Sequence, residues 1–369
     1  MSAQLFAGVA ILLYGGFIFY LTRGFFRLAQ KQNACQPNVT VIIAAHNEAL
    51  NLPRCLQAVM AQDYPQDKLE ILAINDRSVD ATGLLIETYA TKFSNLKTLH
   101  IKKSGPGCSH KKHALAEGVR QASGEIILTT DADCLPPASW VSTMVKAYDA
   151  RIGVATGYAP FSNAATLFGK ILQIENLATA LVAAGGVGWN KGITCAGRNF
   201  SYRKKTFEQV GGFSSMMRSV SGDDDLLLQL ITRKTNWQAA FVRDCRAAVP
   251  SPAAADFKSY RQQRRRHVSA GRFYPRSLQL GYFLFNLCNI TLCFAPVYAT
   301  IQKESLFLPC LALGLKLILD LIGLMGPIND LQQWRLLYFF LPWELFHLAD
   351  KVFISPLGFI GKISDIKWK

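Results

Sequence analysis

The sequence contains no pair of cysteines separated by two residues, and the number of its cysteines is odd. Nine are scattered along the chain. Small disulfide-stabilised domains carry an even number of cysteines, and many structural zinc sites carry C-x-x-C pairs. The pattern therefore argues against both classes and indicates buried free thiols in a reducing compartment.

Acidic residues are scarce relative to basic ones. The chain has 25 Asp and Glu against 40 Lys and Arg, a formal charge of +15, and 50% of its residues are hydrophobic. A soluble protein this basic would suggest nucleic-acid binding. A basic and highly apolar chain is more typical of a membrane protein with cationic cytoplasmic surfaces. We therefore predict membrane lipids, and no nucleic acid, among its partners.

Charge is also absent from residues 5–21, an apolar run that Arg23, Arg27 and Lys31 follow directly. A secretory signal peptide would carry basic residues before this run and a small-residue cleavage site after it, and the sequence shows neither. Because the basic flank lies on the carboxyl side, we predict that residues 1–30 form a transmembrane anchor and that the next domain is cytoplasmic.

Residues 38–250 show the alternation of strands and helices that is typical of an α/β domain. Apolar strands are expected at residues 39–45, 69–75, 96–101 and 124–128, with a helix between each pair and a Gly-Pro-Gly loop at residues 105–107. Nearly continuous apolar strands indicate that helices cover both faces of the sheet. We therefore predict a doubly wound, mostly parallel sheet.

Carboxylates follow the predicted strands where these end. Glu48 follows the first strand, Asp76 the second, and Asp131 and Asp133 the fourth. Open α/β sheets bind ligands at this edge. The two acids of the fourth strand suit Mg²⁺ or Mn²⁺, which would in turn hold a diphosphate. A single acid here could be a helix cap or a turn residue, but the shared placement favours a binding site.

The second half of the domain contains a predicted helix and two further polar segments. The helix is expected at residues 164–184 and should be broken by the Gly-Gly-Val-Gly of residues 185–188. The two segments are Gly197-Arg198-Asn199 and Asp223-Asp224-Asp225. The second, which we call the triple acid, opens a helix, and capping and the helix dipole would explain one or two of its three carboxylates.

Residues 251–277 form a basic helix ahead of apolar sequence, with six arginines between residues 261 and 276. Such a cluster can bind anionic lipid and set the topology of a membrane protein. Arginine is equally suited to bidentate contact with phosphate oxygens, so one or two of these side chains could face an active site.

Residues 278–369 are predicted to be transmembrane or interfacial. Residues 278–301 and 306–325 are long enough to span a bilayer, and Lys316 and Asp320 in the second could pair at i and i+4. Residues 336–353 are apolar but contain several charges, so they either span or lie in the interface. The basic tail from residue 362 favours the cytoplasm, whereas three full spans would place it outside.

Six motifs in this order resemble those of membrane-bound family 2 glycosyltransferases, a group that includes cellulose, chitin and hyaluronan synthases and is similar to ceramide glucosyltransferase. The resemblance covers about residues 39–274. The motifs are Ala44-Ala45-His46-Asn47-Glu48, Asn75-Asp76-Arg77-Ser78, Lys111-Lys112-His113-Ala114-Leu115, Asp131-Ala132-Asp133, Gly222-Asp223-Asp224-Asp225 and Gln263-Arg264-Arg265-Arg266-His267.

This resemblance implies a GT-A fold, flanked by transmembrane helices, and inverting transfer from a nucleotide-sugar, usually a UDP-sugar. The general base would come from the triple acid, with Asp224 preferred to Asp223. The other implied site residues are Glu48, Asp76 and Lys111 at the nucleoside, Asp131 and Asp133 at the diphosphate and its Mn²⁺ or Mg²⁺, Gln263, Arg266 and His267 at the diphosphate, and Gly197, Arg198 and Asn199 near the acceptor.

One departure from the family pattern concerns the product. The motif that begins at Gln263 normally ends in Trp, which helps to form the acceptor channel of the synthases, and here it ends in His267. We therefore favour addition of one or a few sugars to a lipid-linked or glycan acceptor at the membrane over a processive polysaccharide synthase.

Two hypotheses from other classes are weaker. The first is a non-catalytic nucleotide-sugar-binding scaffold, which would have no need of both a metal site and a base. The second is a small transporter. Transporters bind their substrates near the bilayer midplane, whereas most of the charged motifs here lie outside the apolar spans. The protein is expected to be integral to the cell membrane with a cytoplasmic catalytic domain. Its oligomeric state is left open.

Overall fold

The structure is a computed structural model that describes residues 2–29, 33–103, 109–162 and 165–360. The predicted Gly-Pro-Gly loop at residues 105–107 and the basic tail from residue 362 lie outside the described residues.

A central sheet of seven strands is formed within the described residues. Its strands are β1 (Val39–Ala45), β2 (Leu69–Asp76), β3 (Leu96–Ile101), β4 (Ile126–Asp131), β5 (Ile152–Gly157), β7 (Phe200–Arg203) and β8 (Gln238–Val242), and a separate short pair consists of β6 (Phe161–Ser162) and β9 (Ser251–Pro252). The order in the sheet is β3-β2-β1-β4-β7-β5-β8. Only β7, among these seven, runs antiparallel to both of its neighbours. The predicted doubly wound, mostly parallel sheet is confirmed.

Both faces of this sheet are covered, as the apolar strands predict. All seven residues of β1 are buried. Successive side chains of a strand point to opposite faces, so Ile42 packs in one hydrophobic core and Val41 and Ile43 pack in the other. The strand therefore has no polar face.

The helices of the domain lie mostly where the sequence places them. They are α2 (Leu52–Met60), α3 (Thr82–Ala90), α4 (His110–Gln121), α5 (Trp140–Val145), α6 (Leu167–Gly188), α7 (Lys204–Gln209), α8 (Asp225–Lys234) and α9 (Phe257–Ser269). Two strands end later than predicted. β2 is longer by one residue and ends at Asp76, and β4 begins at Ile126 instead of residue 124. β4 continues to Asp131, because Thr129 and Thr130 pair in register with Ile42 and Ile43 of β1.

The prediction that residues 185–188 break the long helix is wrong, because α6 continues to Gly188. These glycines are needed for close packing against α1 (Ala3–Arg27). A Cβ on Gly188 would overlap the carbonyl oxygen of Gly24, and a Cβ on Gly185 would lie 2.5 Å from the carbonyl oxygen of Leu21. Small residues that let two helix backbones approach are typical of helix pairs in membranes.

Four helices of the described chain are long and apolar enough to cross a membrane. They are α1, α6, α10 (Arg276–Ile301) and α11 (Phe307–Leu331). The sequence predicted α1, α10 and α11 as spanning helices and α6 only as a helix of the sheet domain. In the structure α6 packs between the sheet domain and the other apolar helices and is far more buried than they are. This position explains why α6 is as apolar as a spanning helix.

Residues 336–353 do not form a single helix. They lie in a 3₁₀ turn (Trp334–Phe339), a ten-residue helix α12 (Phe340–Ala349) and a π-helical turn (Asp350–Ile354), which a further 3₁₀ turn follows (Ser355–Phe359). These helical turns follow one another without a break over residues 334–359, and the spanning and interfacial alternatives both stay predictions for this segment.

The predicted pairing of Lys316 with Asp320 is confirmed, and it is part of a larger buried cluster. The Lys316 ammonium lies 2.9 Å from Asp320 and also contacts Glu344 of α12. Tyr14 of α1 donates a hydrogen bond of 2.5 Å to Asp320. These polar contacts join three helices inside otherwise apolar packing.

Candidate active site

The carboxyl ends of β1, β2 and β4 meet at one edge, because the three strands are parallel neighbours. Asp131 is the last residue of β4 and pairs in register with Ala44 of β1. Glu48 follows β1 and is buried, and its carboxylate accepts a hydrogen bond of 2.9 Å from Asn51. Asp76 ends β2, is fully buried and is held by the Arg77 guanidinium at 2.8 Å. The predicted nucleoside-side acids therefore lie at the same edge as the predicted metal-binding acids.

Asp131 and Asp133 offer carboxylate oxygens within 4.8 Å of each other and of the Cys134 thiol. Burial raises the pKa of Cys134 well above its ordinary value, so this sulfur stays protonated and is a poor ligand. Two carboxylates are what Mg²⁺ or Mn²⁺ takes from protein when substrate phosphates and water complete its coordination. The residues present therefore fit a hard divalent cation.

Lys111 links this pair to the triple acid. Its ammonium lies 2.9 Å from Asp131 and 3.0 Å from Asp223. Burial opposes the charged form, but these two carboxylates still raise the pKa of Lys111 above its ordinary value. The first turn of α4 thereby joins two segments that are about ninety residues apart in the sequence.

The three consecutive acids have different surroundings. Burial would raise the pKa of Asp223, but Lys111 and Lys112 lower it. Burial and the charges of Asp225 and Asp223 raise the pKa of Asp224 well above the usual range. Asp225 accepts hydrogen bonds from the Tyr274 hydroxyl and from the Cys195 backbone N–H at 3.3 Å. Asp224 therefore takes up a proton more readily than Asp223.

Two neighbours fix the position of this acidic cluster. The Lys112 ammonium is fully buried and donates to the backbone carbonyls of Ser219 and Ser221 at 2.6 and 2.7 Å, which holds the turn ahead of Asp223. Burial lowers the pKa of Lys112 to about 8. A Cβ on Gly197 would lie 2.8 Å from a carboxylate oxygen of Asp224, so glycine is needed there to leave room for the acid.

Arginines face the carboxylates from the other side. Burial would raise the pKa of Asp131, but Lys111, Arg198 and Arg266 together lower it. Arg198 lies over the Phe161 ring at 5.0 Å and donates to the Ala159 carbonyl. Enclosure by protein lowers the pKa of Arg266. Negative charge at Asp131 is therefore surrounded by cations.

The motif that begins at Gln263 divides into two groups. Gln263, Arg266 and His267 line the same cavity as Asp131 and Asp133. The surrounding protein and the charge of Arg266 lower the pKa of His267, although its side chain is partly exposed, so it is neutral at pH 7. Arg264 also lines this cavity, but its guanidinium pairs with Asp350 at 2.9 Å. Of these two arginines, Arg266 is the one whose charge lowers the pKa of Asp131.

One predicted acceptor residue lies apart from this cavity. Asn199 is fully buried, and its amide donates to the carbonyls of Tyr158 and Ala247 at 2.7 and 2.8 Å while its oxygen accepts from Trp140 at 2.9 Å. All of these contacts lie within the domain core. Gly197 and Arg198, in contrast, line the cavity.

The cavity has a volume of about 1100 Å³ and two chemically different ends. We call the part beside the strand edge the sheet end, with Lys111, Asp131, Asp133, Asp223, Asp224 and Arg266. We call the part between α1, α6, α10 and α11 the helix end, with Ile18, Leu181, Val182, Phe285, Leu287 and Ile290. A single connected space therefore joins charged groups to apolar helices.

Sequence reasoning missed the residues that support this site. Tyr274 lies just beyond the arginine motif and binds Asp225. Glu175 of α6 and Asp350 both bind Arg264. Tyr274, Glu175 and Asp350 are polar groups next to or within apolar runs, and this placement is a sequence signal for a buried polar contact. The partner of each residue could not be named, because it lies far away in the chain.

A family model described as glycosyl transferase family 2 matches residues 40–223. The chain belongs to this family. The matched segment contains Glu48, Asp76, Lys111 and the Asp131/Asp133 pair, and it ends at Asp223. We refer to it below as the glycosyltransferase domain.

Curated relatives agree with this assignment. A probable glycosyltransferase, YdaM of Bacillus subtilis, is 32% identical over 226 residues, which cover 59% of this chain and 53% of the relative. A poly-beta-1,6-N-acetyl-D-glucosamine synthase of Staphylococcus aureus is 32% identical over 139 residues, or 37% of this chain and 32% of the relative. The chain thus spans about half the length of the first relative and a third of the second.

A solved structure shares its architecture with most of the chain. The mannosyltransferase PcManGT of Pyrobaculum calidifontis, in complex with GDP-Man and Mn²⁺, superimposes with a TM-score of 0.62 at 20% identity and covers 94% of this chain and 99% of its own. At this identity the likeness concerns the fold. The predicted GT-A fold of the glycosyltransferase domain is confirmed.

Proposed function

We propose that this protein transfers a sugar from a nucleotide-sugar, with UDP-sugars favoured, to a lipid-linked or other membrane-proximal acceptor, with inversion at the transferred carbon. The observation that carries the proposal is the cavity, which joins cations and carboxylates at its sheet end to apolar helices at its helix end. A charged donor and an acceptor with an apolar tail could then meet in one space.

The donor is assigned to the sheet end. Glu48 and Asp76, with Lys111 nearby, would bind the nucleoside. Asp133 and Asp131 would hold Mn²⁺ or Mg²⁺, which stabilises negative charge on the diphosphate when bound. The metal in the PcManGT complex supports this assignment. Departure of a nucleoside diphosphate leaves charge on its oxygens.

The motif that begins at Gln263 would stabilise that charge. Arg266 is a cation close to Asp131 and Asp133 and would contact the diphosphate directly. Gln263 and the neutral His267 would donate hydrogen bonds to the same group, since both line the cavity.

Asp224 is assigned as the general base. An acceptor hydroxyl attacks the anomeric carbon, the bond to the diphosphate oxygen breaks, and the hydroxyl proton passes to the Asp224 carboxylate. A base works best with a pKa near the working pH, which lies above the ordinary pKa of an aspartate, and the pKa of Asp224 is raised above that ordinary value. Asp223 is the competing candidate, but its carboxylate is paired with Lys111.

The acceptor is assigned to the helix end, with its reacting hydroxyl near Gly197 and Arg198. Phe283 and Leu287 of α10 line the cavity and are 62% and 47% exposed. Side chains that face both the cavity and the outside of the helix bundle mark a lateral opening. An acceptor dissolved in the bilayer could enter there.

This function implies a division of the chain. We propose that residues 1–30 form an anchor, residues 38–250 a cytoplasmic catalytic domain, residues 251–277 a juxtamembrane basic helix and residues 278–369 transmembrane and interfacial helices of a cell-membrane protein. The glycine contact between α1 and α6 would hold the catalytic domain against the membrane.

A processive synthase is the second candidate, because Tyr14 and Asp320 place polar groups at the apolar helix end, where a growing glycan could pass. The S. aureus relative carries the name of such an enzyme. One experiment tests both candidates. Purified protein with Mn²⁺ is given a panel of nucleotide-sugars and extracted membrane lipids, and the products are sized by mass spectrometry.

We expect lipid products that are one or a few sugars heavier. A ladder of long glycans would establish the synthase instead. The absence of transfer and of hydrolysis with every donor would contradict the enzymatic proposal.

A further inference from the structure

Helix α9 carries two stripes of residues, and both stripes line the cavity. The first stripe is Gln263, Arg266 and His267. The second stripe is Tyr260, Arg264 and Val268, which are spaced four residues apart and therefore share a second face of the helix. This second face contacts the C-terminal residues 350–360. The orientation of the first stripe thus depends on what holds the second.

Asp350 is the main polar contact of the second face. It is fully buried. Its carboxylate accepts hydrogen bonds from the Tyr260 hydroxyl at 2.8 Å and from the Arg264 guanidinium at 2.9 and 3.1 Å. Ser355, one turn later in its own segment, donates a further bond of 2.8 Å. One carboxylate therefore ties two successive turns of α9 to the C-terminal segment.

The ion pairs around Asp350 balance in charge. Arg264 and Lys351 are the cations, and Asp350 and Glu175 are the anions. His347 also lies 2.7 Å from Glu175. A buried network with equal numbers of opposite charges leaves none uncompensated. Arg264 is thus committed to this network, although it lies two residues from Arg266.

Close packing completes the contact. A Cβ on Gly358 would lie 2.8 Å from the Cβ of Val268 and 3.2 Å from the carbonyl oxygen of Arg265. Arg272, just beyond α9, donates to the Gly358 carbonyl at 3.1 Å. The C-terminal segment therefore follows the helix for about two turns.

We propose that Asp350 is a positioning residue for the diphosphate site. By holding Tyr260 and Arg264 it fixes the rotation of α9 about its axis, and this rotation directs Gln263 and Arg266 at the donor diphosphate. The inference rests on the proposed function, because it presumes that the sheet end binds a nucleoside diphosphate. Groups behind a binding residue set the geometry that the residue needs.

A second buried cluster provides a matched control. Asp330 of α11 accepts from Arg243 at 2.7 and 3.0 Å and from the Tyr158 hydroxyl at 2.7 Å. As at Asp350, one carboxylate binds one arginine and one tyrosine. None of these three residues belongs to α9. Asp330→Asn therefore reproduces the loss of a buried charge without releasing that helix.

The test compares Asp350→Asn and Asp330→Asn in the full chain. Binding of UDP and of UMP is measured by titration calorimetry with Mn²⁺, with GDP and GMP as the alternative pair. We expect Asp350→Asn to weaken diphosphate binding about 10- to 100-fold and to leave monophosphate binding within about twofold. Asp330→Asn should leave the ratio of the two affinities unchanged.

Three outcomes decide the matter. If Asp350→Asn weakens both nucleotides equally, or behaves like Asp330→Asn, the positioning role is wrong. If Asp350→Asn does not fold, Tyr260→Phe takes its place, because it removes one hydrogen bond to Asp350 and leaves the ion pairs. An unchanged ratio of diphosphate to monophosphate affinity in Tyr260→Phe would then overturn the inference. If the wild type binds neither UDP nor GDP, the proposed function fails first.

Discussion

The sheet end and the helix end of the cavity are lined by opposite chemistries. At the sheet end Lys111 lies within 3.0 Å of two carboxylates, and Arg198 and Arg266 add positive charge. At the helix end the lining is mostly aliphatic and aromatic, as at Ile18 and Leu287. The contrast teaches that a substrate filling the whole space would be amphipathic, and that each end can be altered separately.

The largest effect should come from the sheet end. Asp133→Ala removes one of two carboxylates that fit a divalent cation, and transfer should fall at least about 100-fold because charge on the leaving diphosphate is no longer stabilised. Metal-dependent UDP binding should be lost as well, which calorimetry with and without Mn²⁺ measures. The exposed Asp67→Ala is the control. Unchanged metal-dependent binding in Asp133→Ala would place the metal elsewhere.

The second effect separates chemistry from binding at the same end. Asp224→Asn should lower kcat about 100- to 10,000-fold, the usual contribution of a general base, and should leave UDP affinity unchanged. Assays of sugar transfer measure kcat, and titration with UDP measures the affinity. Asp223→Asn is the companion variant. If it abolishes kcat while Asp224→Asn retains activity, the base is Asp223.

A third change tests the close contact between α1 and α6, two helices that contribute residues to the cavity. Gly188→Ala forces a Cβ into the backbone of Gly24, and it should destabilise the protein by about 1–3 kcal/mol through overpacking. Gly281→Ala on α10, where nothing lies within 4 Å, should be neutral or slightly stabilising. Thermal unfolding in detergent measures both. Equal midpoints would show that the α1–α6 contact contributes little.

The helix end should respond to a change in its lateral opening. Leu287→Trp narrows the opening without adding charge, and it should raise the KM for the lipid acceptor about fivefold while the KM for the donor stays the same. Phe294→Trp is the control, since Phe294 lies two turns away on the same side of α10, is exposed and does not line the cavity. A change in donor KM alone would contradict the division into two ends.

The smallest effect concerns pH. The base must be deprotonated to accept a proton, so kcat should rise with pH. Because the pKa of Asp224 is raised, the loss of kcat on acidification should begin at a higher pH than it would with an ordinary aspartate as the base. Asp225→Asn removes a neighbouring negative charge and should shift this acid limb downward by about one pH unit or less. A profile of kcat against pH is the measurement. An upward shift would mean that the limb belongs to another group.

Local patterns predicted most of the fold. The strands β1 and β3 have the predicted bounds. β1 is buried on both faces, and such a strand leaves a continuous apolar run in the sequence. Residues 185–188 show where local reasoning fails. Glycines usually end a helix, but here they face another backbone, and that backbone belongs to α1, more than 150 residues earlier.

The candidate site shows the same limit. Asp131 and Asp133 could be named from the sequence because they follow a strand, and Lys111 because it lies in one of the motifs that resemble the family. The buried role of Asn199 could not, since its partners Trp140, Tyr158 and Ala247 come from other segments.

The sequence by itself determined the parallel sheet, the apolar helices and the acids at the strand edge, because periodicity and spacing are local properties. Only the tertiary structure decided that α6 joins the membrane helices to the sheet, that Asp223 and Asp224 have pKa values moved in opposite directions, and that Arg264 is bound by Asp350. These facts depend on distances between residues far apart in the chain, where burial and charge act through space.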